Sequence, residues 1–375
     1  MTLLVIAGEA SGDLHGAEIL RALKALRPDL RIVGVGGGRM TPYLDLKLAD
    51  VSDLGVVGFV EPLVKLPRLL ALRRRILEVA RAEGIHTVLT IDYPGFNFSL
   101  GAALKAQDPA LRLHHYVCPQ VWAWKKGRIP KMGALLDVLY CLFDFEPALF
   151  AGYPVEARFV GNPLVEVVVP EVDRETFLRE TGLDPHRPLV ALLPGSRRSE
   201  LSRLLPPMAE LVARWRAERP EVQWVLPVAP TLEDGEVAAH LGELPVVRVP
   251  GSRTYAARAH ADAALVASGT ATLETALLGT PFAIVYRLNG LTYQLARHLV
   301  KLPHIGLANI VAGTEVAPEL VQGAVVPARM GAVLASLLEP EEAARRRSDL
   351  ALVRAHLGEA GAAGRVAERL AMDLT

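Results

Sequence analysis

Cysteine is almost missing from this chain: of 375 residues, only Cys118 and Cys141 carry a thiol. They stand far apart in sequence, with no further Cys or His at ligand spacing. That excludes a zinc ribbon and fits a reducing compartment, and both are read as buried thiols. Net charge is missing too, since Lys+Arg and Asp+Glu each number 41. Without a basic field no nucleic-acid partner is expected, and any attraction to an anionic membrane surface must be local. No uncharged apolar run reaches spanning length although hydrophobic residues make up 51% of the chain, so no transmembrane helix is expected. A basic leader is also lacking: the apolar opening runs from Met1 through Gly8 straight into Glu9, which reads as a first strand and points to the cytoplasm. The dinucleotide glycine fingerprint is wanting as well. The spacing of Gly8, Gly12 and Gly16 does not match it, and after Gly34 and Gly36 the place of the last glycine is taken by Arg39, which counts against NAD.

What is present is an alternation of short apolar runs with amphipathic stretches. The length exceeds what one core usually supports, so two domains with a cleft between them are expected. Strand-like runs fall at Leu3–Ala7, Arg31–Val35, Thr87–Ile91, Leu113–Val117, Val138–Leu142 and Ala157–Val160. They resume at Leu189–Leu193, Gln223–Pro227, Val246–Val249, Ala263–Ala267 and Phe282–Val285. This βαβ rhythm predicts an α/β protein of two Rossmann-like doubly wound domains, 1–162 and 163–340, hinged near Gly161-Asn162-Pro163. A helical segment, 341–375, could pack back on the first domain.

The polar residues of interest sit where strands give way to helices. The loop after the first strand holds Glu9, Ser11, Gly12, Asp13 and His15 and can face an anion at a helix N-terminus, although Asp13 can equally be a cap. Asp92 closes a buried strand, where a carboxylate can take a proton from a hydroxyl nucleophile or cap the next helix. His15 competes with it as base, its imidazole suiting neutral pH. The stretch from Tyr116 to Lys126 mixes Gln120, Trp122, Trp124 and lysines; aromatic faces pack on sugar rings, and core packing is expected for at least one Trp. In the second half, Gly195, Ser196 and Arg197 form one phosphate-type turn, and Ser268, Gly269 and Thr270 form another, with Glu274 a turn later to accept ribose hydroxyls. Between 60 and 80, Leu63, Val64, Leu66, Leu69, Leu70 and Leu72 accompany Lys65, Arg68, Arg73, Arg74 and Arg75, a mixture that can lie on anionic lipid or form a core helix with a solvated face.

Taken in order, AGEASGD at 7–13, IDYPGFN at 91–97, YVCPQVWAWKKGRI at 116–129, LLPGSRRSE at 192–200, SGTATLE at 268–274 and LANIVAG at 307–313 resemble the lipid-A-disaccharide synthases. The resemblance implies a GT-B fold, a peripheral enzyme at the inner membrane face, and inverting transfer with no cofactor and no essential metal. It implies a UDP-2,3-diacylglucosamine donor, a 2,3-diacylglucosamine 1-phosphate acceptor and a β(1→6) product. By the same resemblance UDP falls on Ser196, Arg197, Ser268, Gly269, Thr270 and Glu274, Asp92 is the base, Glu9 and Asn309 are further catalytic residues near the cleft, and Ser11, Gly12, Asp13 and Gln120 bind substrate there. Asn162, Cys118 and Ala308 depart from the His, Ser and Pro common in that family. The oligomeric state, monomer or homodimer, is left open. So are another GT-B transferase using UDP-N-acetylglucosamine and a polyprenyl-linked acceptor, and a nucleotide-sugar binding protein without turnover.

Overall fold

The computed structural model describes residues 1–54, 61–290 and 302–374. The chain divides into two compact units, Met1–Pro163 with Glu359–Thr375, and Leu164–Gly358.

The first unit is built on a parallel sheet of seven strands: β1 (Thr2–Ala7), β2 (Arg31–Val35), β3 (Leu46–Ala49), β4 (Thr87–Ile91), β5 (Arg112–Tyr116), β6 (Val138–Cys141) and β7 (Glu156–Phe159). Its order is β3-β2-β1-β4-β5-β6-β7, so the winding reverses between β1 and β4. The central strands are buried on both faces, which is why they read as unbroken apolar runs. Pairing of Ala7 with Ile91 and of Ile91 with Tyr116 brings the carboxyl ends of β1, β4 and β5 side by side. Open α/β sheets bind ligands at such a switch point. Helix Ala10–Leu26 packs closely there, because a side chain at Gly16 would meet Met40 Sδ at 2.5 Å.

The second unit repeats the plan with β8 (Leu189–Leu193), β9 (Gln223–Val228), β10 (Val246–Pro250), β11 (Ala263–Ala267), β12 (Phe282–Tyr286) and β13 (Glu319–Val321). All pairings are parallel, in the order β10-β9-β8-β11-β12-β13. Its reversal lies between β8 and β11, where Leu193 pairs with Val266 and the Pro194–Arg198 and Ser268–Thr270 turns emerge. Strands β3 and β13 escape the periodicity. One mixes Leu with Lys at a sheet edge and the other has three residues, so neither makes an apolar run.

The end of the chain is not one segment from 341 to 375. Helix Pro340–Leu357 belongs to the second unit, whereas helix Ala362–Met372 lies on helix Ala10–Leu26 of the first. Ion pairs hold the latter: Arg369 reaches Glu156 at 2.8 Å and Asp373 at 3.1 Å, and Asp373 meets the buried His114 at 3.0 Å. Helix Glu61–Ala82 turns Leu69 and Leu72 onto the core and leaves Leu70, Arg68 and Arg74 exposed. Val60 and the side chains of Leu63, Val64, Lys65 and Leu66 lie outside the described residues. No helix among the described residues is long and apolar enough to cross a membrane.

Candidate active site

At the switch point of the first unit the backbone is strained. Asp92 and Tyr93 both take left-handed conformations, φ 49° and 48°, and Val117 follows at the end of β5 with φ 75°. Each such non-glycine residue costs about 1–3 kcal/mol, which the surroundings must offset. Buried Asn97 helps do so, its Nδ2 donating to Asp92 O at 2.7 Å and to Ile91 O at 3.3 Å, while Asp92 Oδ1 accepts the Tyr93 N–H at 2.8 Å. Gly8 makes room for the turn, since a Cβ there would lie 2.4 Å from Tyr93 Cβ. Around Asp92 the charges are coupled. Burial, and then the Asp92 charge, raise the Glu9 carboxyl above its usual range. Burial lowers His15, an effect that Asp92 opposes, and its ring stands edge-on to Tyr116 at 5.8 Å. Asp92 also lines a cavity of about 340 Å³ together with Pro94, Val117, Gln120, Trp124, Lys125 and Arg128, whereas His15 is not in its wall.

In the second unit, Ser196, Arg197, Ser268, Gly269, Thr270 and Glu274 line one cavity of about 410 Å³. The turn after β11 is of the kind that suits an anion: Gly269 takes φ 148° and helix Thr270–Leu277 begins there. The other turn is partly spoken for. Glu200 Oε2 accepts the N–H groups of Ser196 and Arg197 at 3.0 and 3.3 Å, so the amide expected from Ser196 for phosphate is already engaged. The Arg197 guanidinium rests on Glu200 Oε1 at 3.2 Å and is 78% exposed. Ser268 Oγ donates to Ile305 O at 3.0 Å, which keeps its lone pairs available. Glu274 is gripped by the buried Arg258, and the Tyr255 hydroxyl lies 3.5 Å from its Oε1. Arg258 and Tyr255 lie between the motifs at 192–200 and 268–274 and carry no signal in the sequence.

The decisive similarity spans nearly the whole chain: residues 3–366 match the model of the family described as Lipid-A-disaccharide synthetase. The chain belongs to that family of glycosyltransferases. Among the lipid-A-disaccharide synthases it resembles, that of Anaeromyxobacter sp. (strain K) is 42% identical, with 98% of this chain and 96% of that one covered. That of Geobacter sulfurreducens is 39% identical, at 97% and 95% coverage. Solved structures share the fold at much lower identity. A Staphylococcus aureus MnaA–UDP co-structure superposes with TM-score 0.63 at 14% identity, covering 100% of this chain and 96% of that one. Acinetobacter baumannii MurG gives 0.57 at 13%, covering 99% of each. The fold of this synthase is therefore GT-B.

Not every motif residue of the synthase faces a ligand. Asp13 is buried, and its carboxylate takes the N–H groups of Gly37, Arg39 and Met40 at 2.6–3.0 Å, so it holds the loop after β2 and is not offered to substrate. Gly12 is likewise inward, seating the helix on Ala7 and Ile91, whereas Ser11 and Gln120 are exposed. Asn309, expected as a catalytic residue, is fully buried and fully bonded. Its Nδ2 donates to Ala317 O and Glu319 Oε1, both at 2.8 Å, and its Oδ1 accepts from Val316 and Ala317, both at 2.9 Å. That pattern secures the chain before β13 and leaves no atom for the reaction. Ala308 donates its N–H to Thr272 Oγ1 at 3.2 Å, a bond that the family's common proline cannot make.

The tryptophans divide: Trp122 is core and donates to Glu146 at 3.1 Å, whereas Trp124 is 55% exposed. The cysteines, distant in sequence, meet in space. Cys118 and Cys141 are buried and gather with Glu146 so that their ligand-type atoms lie within 4.8 Å of one another. Hydrogen bonding with the free Cys141 thiol, and then burial, push the Cys118 thiol well up, against the thiolate form. Burial lifts the Glu146 carboxyl to about 7.

Proposed function

We propose that this synthase transfers 2,3-diacylglucosamine from UDP to the 6-hydroxyl of 2,3-diacylglucosamine 1-phosphate. The acceptor oxygen attacks C1 of the donor sugar on the face opposite UDP and forms the β(1→6) bond. Asp92 takes the hydroxyl proton as the C1–O bond to UDP breaks. Charge growing on UDP meets the Arg197 guanidinium and the helix end at Gly269 and Thr270, where dipoles are already aligned and need not reorganise. Glu274 receives the ribose hydroxyls, oriented by Arg258. What supports this reading is that the residues assigned to UDP, scattered from 196 to 274, line one cavity. Incubation with both acylated substrates, with UDP release followed and a disaccharide sought by mass, tests it. UDP release without a disaccharide product would defeat it.

UDP is expected to raise the melting temperature, because a ligand at a hundredfold excess over Kd adds about 2.7 kcal/mol to the native state. Arg197→Ala is expected to remove most of that rise. A variant that responds like the wild type would move the diphosphate away from Arg197.

The lipid acceptor is proposed to be reached from an anionic membrane surface through Leu70, Arg68 and Arg74. Leu70→Glu with Arg74→Glu is expected to cut sedimentation with anionic vesicles several-fold, since each basic residue near such a surface is worth about 1 kcal/mol. Leu69, packed on the core, is unsuitable for this test. Undiminished binding by the double variant would take this patch out of the membrane contact.

A further inference from the structure

No residue of the motif that follows β5 lines the cavity assigned above to UDP. It wraps the cavity of about 340 Å³ beside Asp92, a cavity that lies wholly in the first unit. The charge on its wall is unbalanced: Asp92 is a single carboxylate against Lys125 and Arg128. Some other cations of this unit are matched to carboxylates, as Arg31 is to Glu83 at 2.9 Å and Arg369 to Glu156 at 2.8 Å. Lys125 and Arg128 are half-buried, and among the described residues neither side chain has a hydrogen-bond or ion-pair partner. The Lys125 ammonium only rests over the Trp124 ring, 3.8 Å from its centre. Half-buried cations of this kind carry a desolvation cost that an anion in the cavity would offset.

We propose that Lys125 and Arg128 hold the phosphate of the acceptor sugar, a role that rests on the transferase reading above. The phosphate and the 6-hydroxyl of a glucosamine 1-phosphate are borne on either side of the ring oxygen. One cavity therefore takes both, the hydroxyl at Asp92 and the phosphate at the cations. Arg128 supplies a planar fork that pairs with two phosphate oxygens, and Lys125 a point charge. The exposed Trp124 face offers a surface for the apolar side of the ring. The cations thus select a phosphorylated acceptor and fix its register against the base.

Turnover with 2,3-diacylglucosamine 1-phosphate and with its dephosphorylated counterpart tests this. The wild type is expected to prefer the phosphorylated acceptor by about a hundredfold in kcat/KM, mainly through KM. Lys125→Gln and Arg128→Gln are each expected to shrink that preference by about tenfold. Both variants should keep the far-ultraviolet circular dichroism and the UDP-dependent thermal shift of the wild type. An unchanged preference in both variants overturns the proposal, and so does an equal loss with the two acceptors, which would make the cations mere supports of the loop. Loss of the UDP response would assign them to the donor diphosphate and overturn it as well. Absence of any disaccharide with the wild-type protein is a separate result: it defeats the transferase reading, and this proposal with it.

Discussion

Asp92→Asn is expected to lower turnover by roughly two to four orders of magnitude, the usual worth of a positioned general base, with UDP affinity unchanged. Asparagine suits the test because the position is conformationally demanding. Asp92 sits at φ 49°, and Asn tolerates left-handed backbone better than any residue but glycine, so the amide should keep the turn where Ala would strain it. The amide oxygen can also go on accepting the Tyr93 N–H that Asp92 Oδ1 accepts at 2.8 Å. What disappears is the proton acceptor. His15 is the rival, its imidazole pKa lowered by burial and raised in part by the nearby Asp92 charge. Geometry favours Asp92, which is in the cavity wall where His15 is not. Measuring turnover of Asp92→Asn beside His15→Gln separates them. Near-normal rates in the first with collapse in the second would pass the role of base to His15. Loss of UDP binding in the Asp92 variant would make that residue structural.

Most of the architecture could be read from the sequence because parallel strands are covered on both faces and therefore leave unbroken apolar runs, as in Leu3–Ala7 and Leu189–Leu193. The loops that matter were legible for a related reason: strand ends are marked by where the runs stop, and a helix N-terminus after a strand is a ready anion site whatever the tertiary context. What a polar residue in such a loop bonds to was not legible. Asp13 and Gly37 are 24 residues apart, so nothing in the spacing says that the carboxylate is spent on that backbone. Asn309 reads the same in a motif whether it serves substrate or, as here, ties Val316 and Ala317 to Glu319. Cys118 and Cys141 looked isolated because β5 and β6 had not yet been laid side by side. The Lys125 and Arg128 cations were visible as part of a motif, but only the cavity wall shows that both face the space beside Asp92.

The second large effect is expected at the Arg258–Glu274 pair, where stability and ligand binding share one carboxylate. Arg258 is 7% exposed, and its Nε is buried without a hydrogen-bond partner, so the pair with Glu274 is what makes its charge tolerable. Glu274→Ala strands that charge. Removing one partner of a buried pair costs about 3–5 kcal/mol, which at roughly 2–4 °C per kcal/mol is a fall of about 6–20 °C in melting temperature. The UDP-dependent rise should vanish as well, but that alone does not show that Glu274 touches the nucleotide, because a loosened helix would also bind poorly. Arg258→Met combined with Glu274→Leu resolves the two roles. Replacing a buried ion pair by apolar side chains of similar volume is often neutral or stabilising, so the double variant is expected to melt near the wild-type temperature. If Glu274 accepts the ribose hydroxyls, this stable protein still fails to respond to UDP, because two acceptors for the sugar are gone while the phosphate turns at Ser196 and Gly269 are intact. A double variant that both melts and binds UDP like the wild type would reduce the pair to a structural clamp and move ribose recognition elsewhere in the cavity.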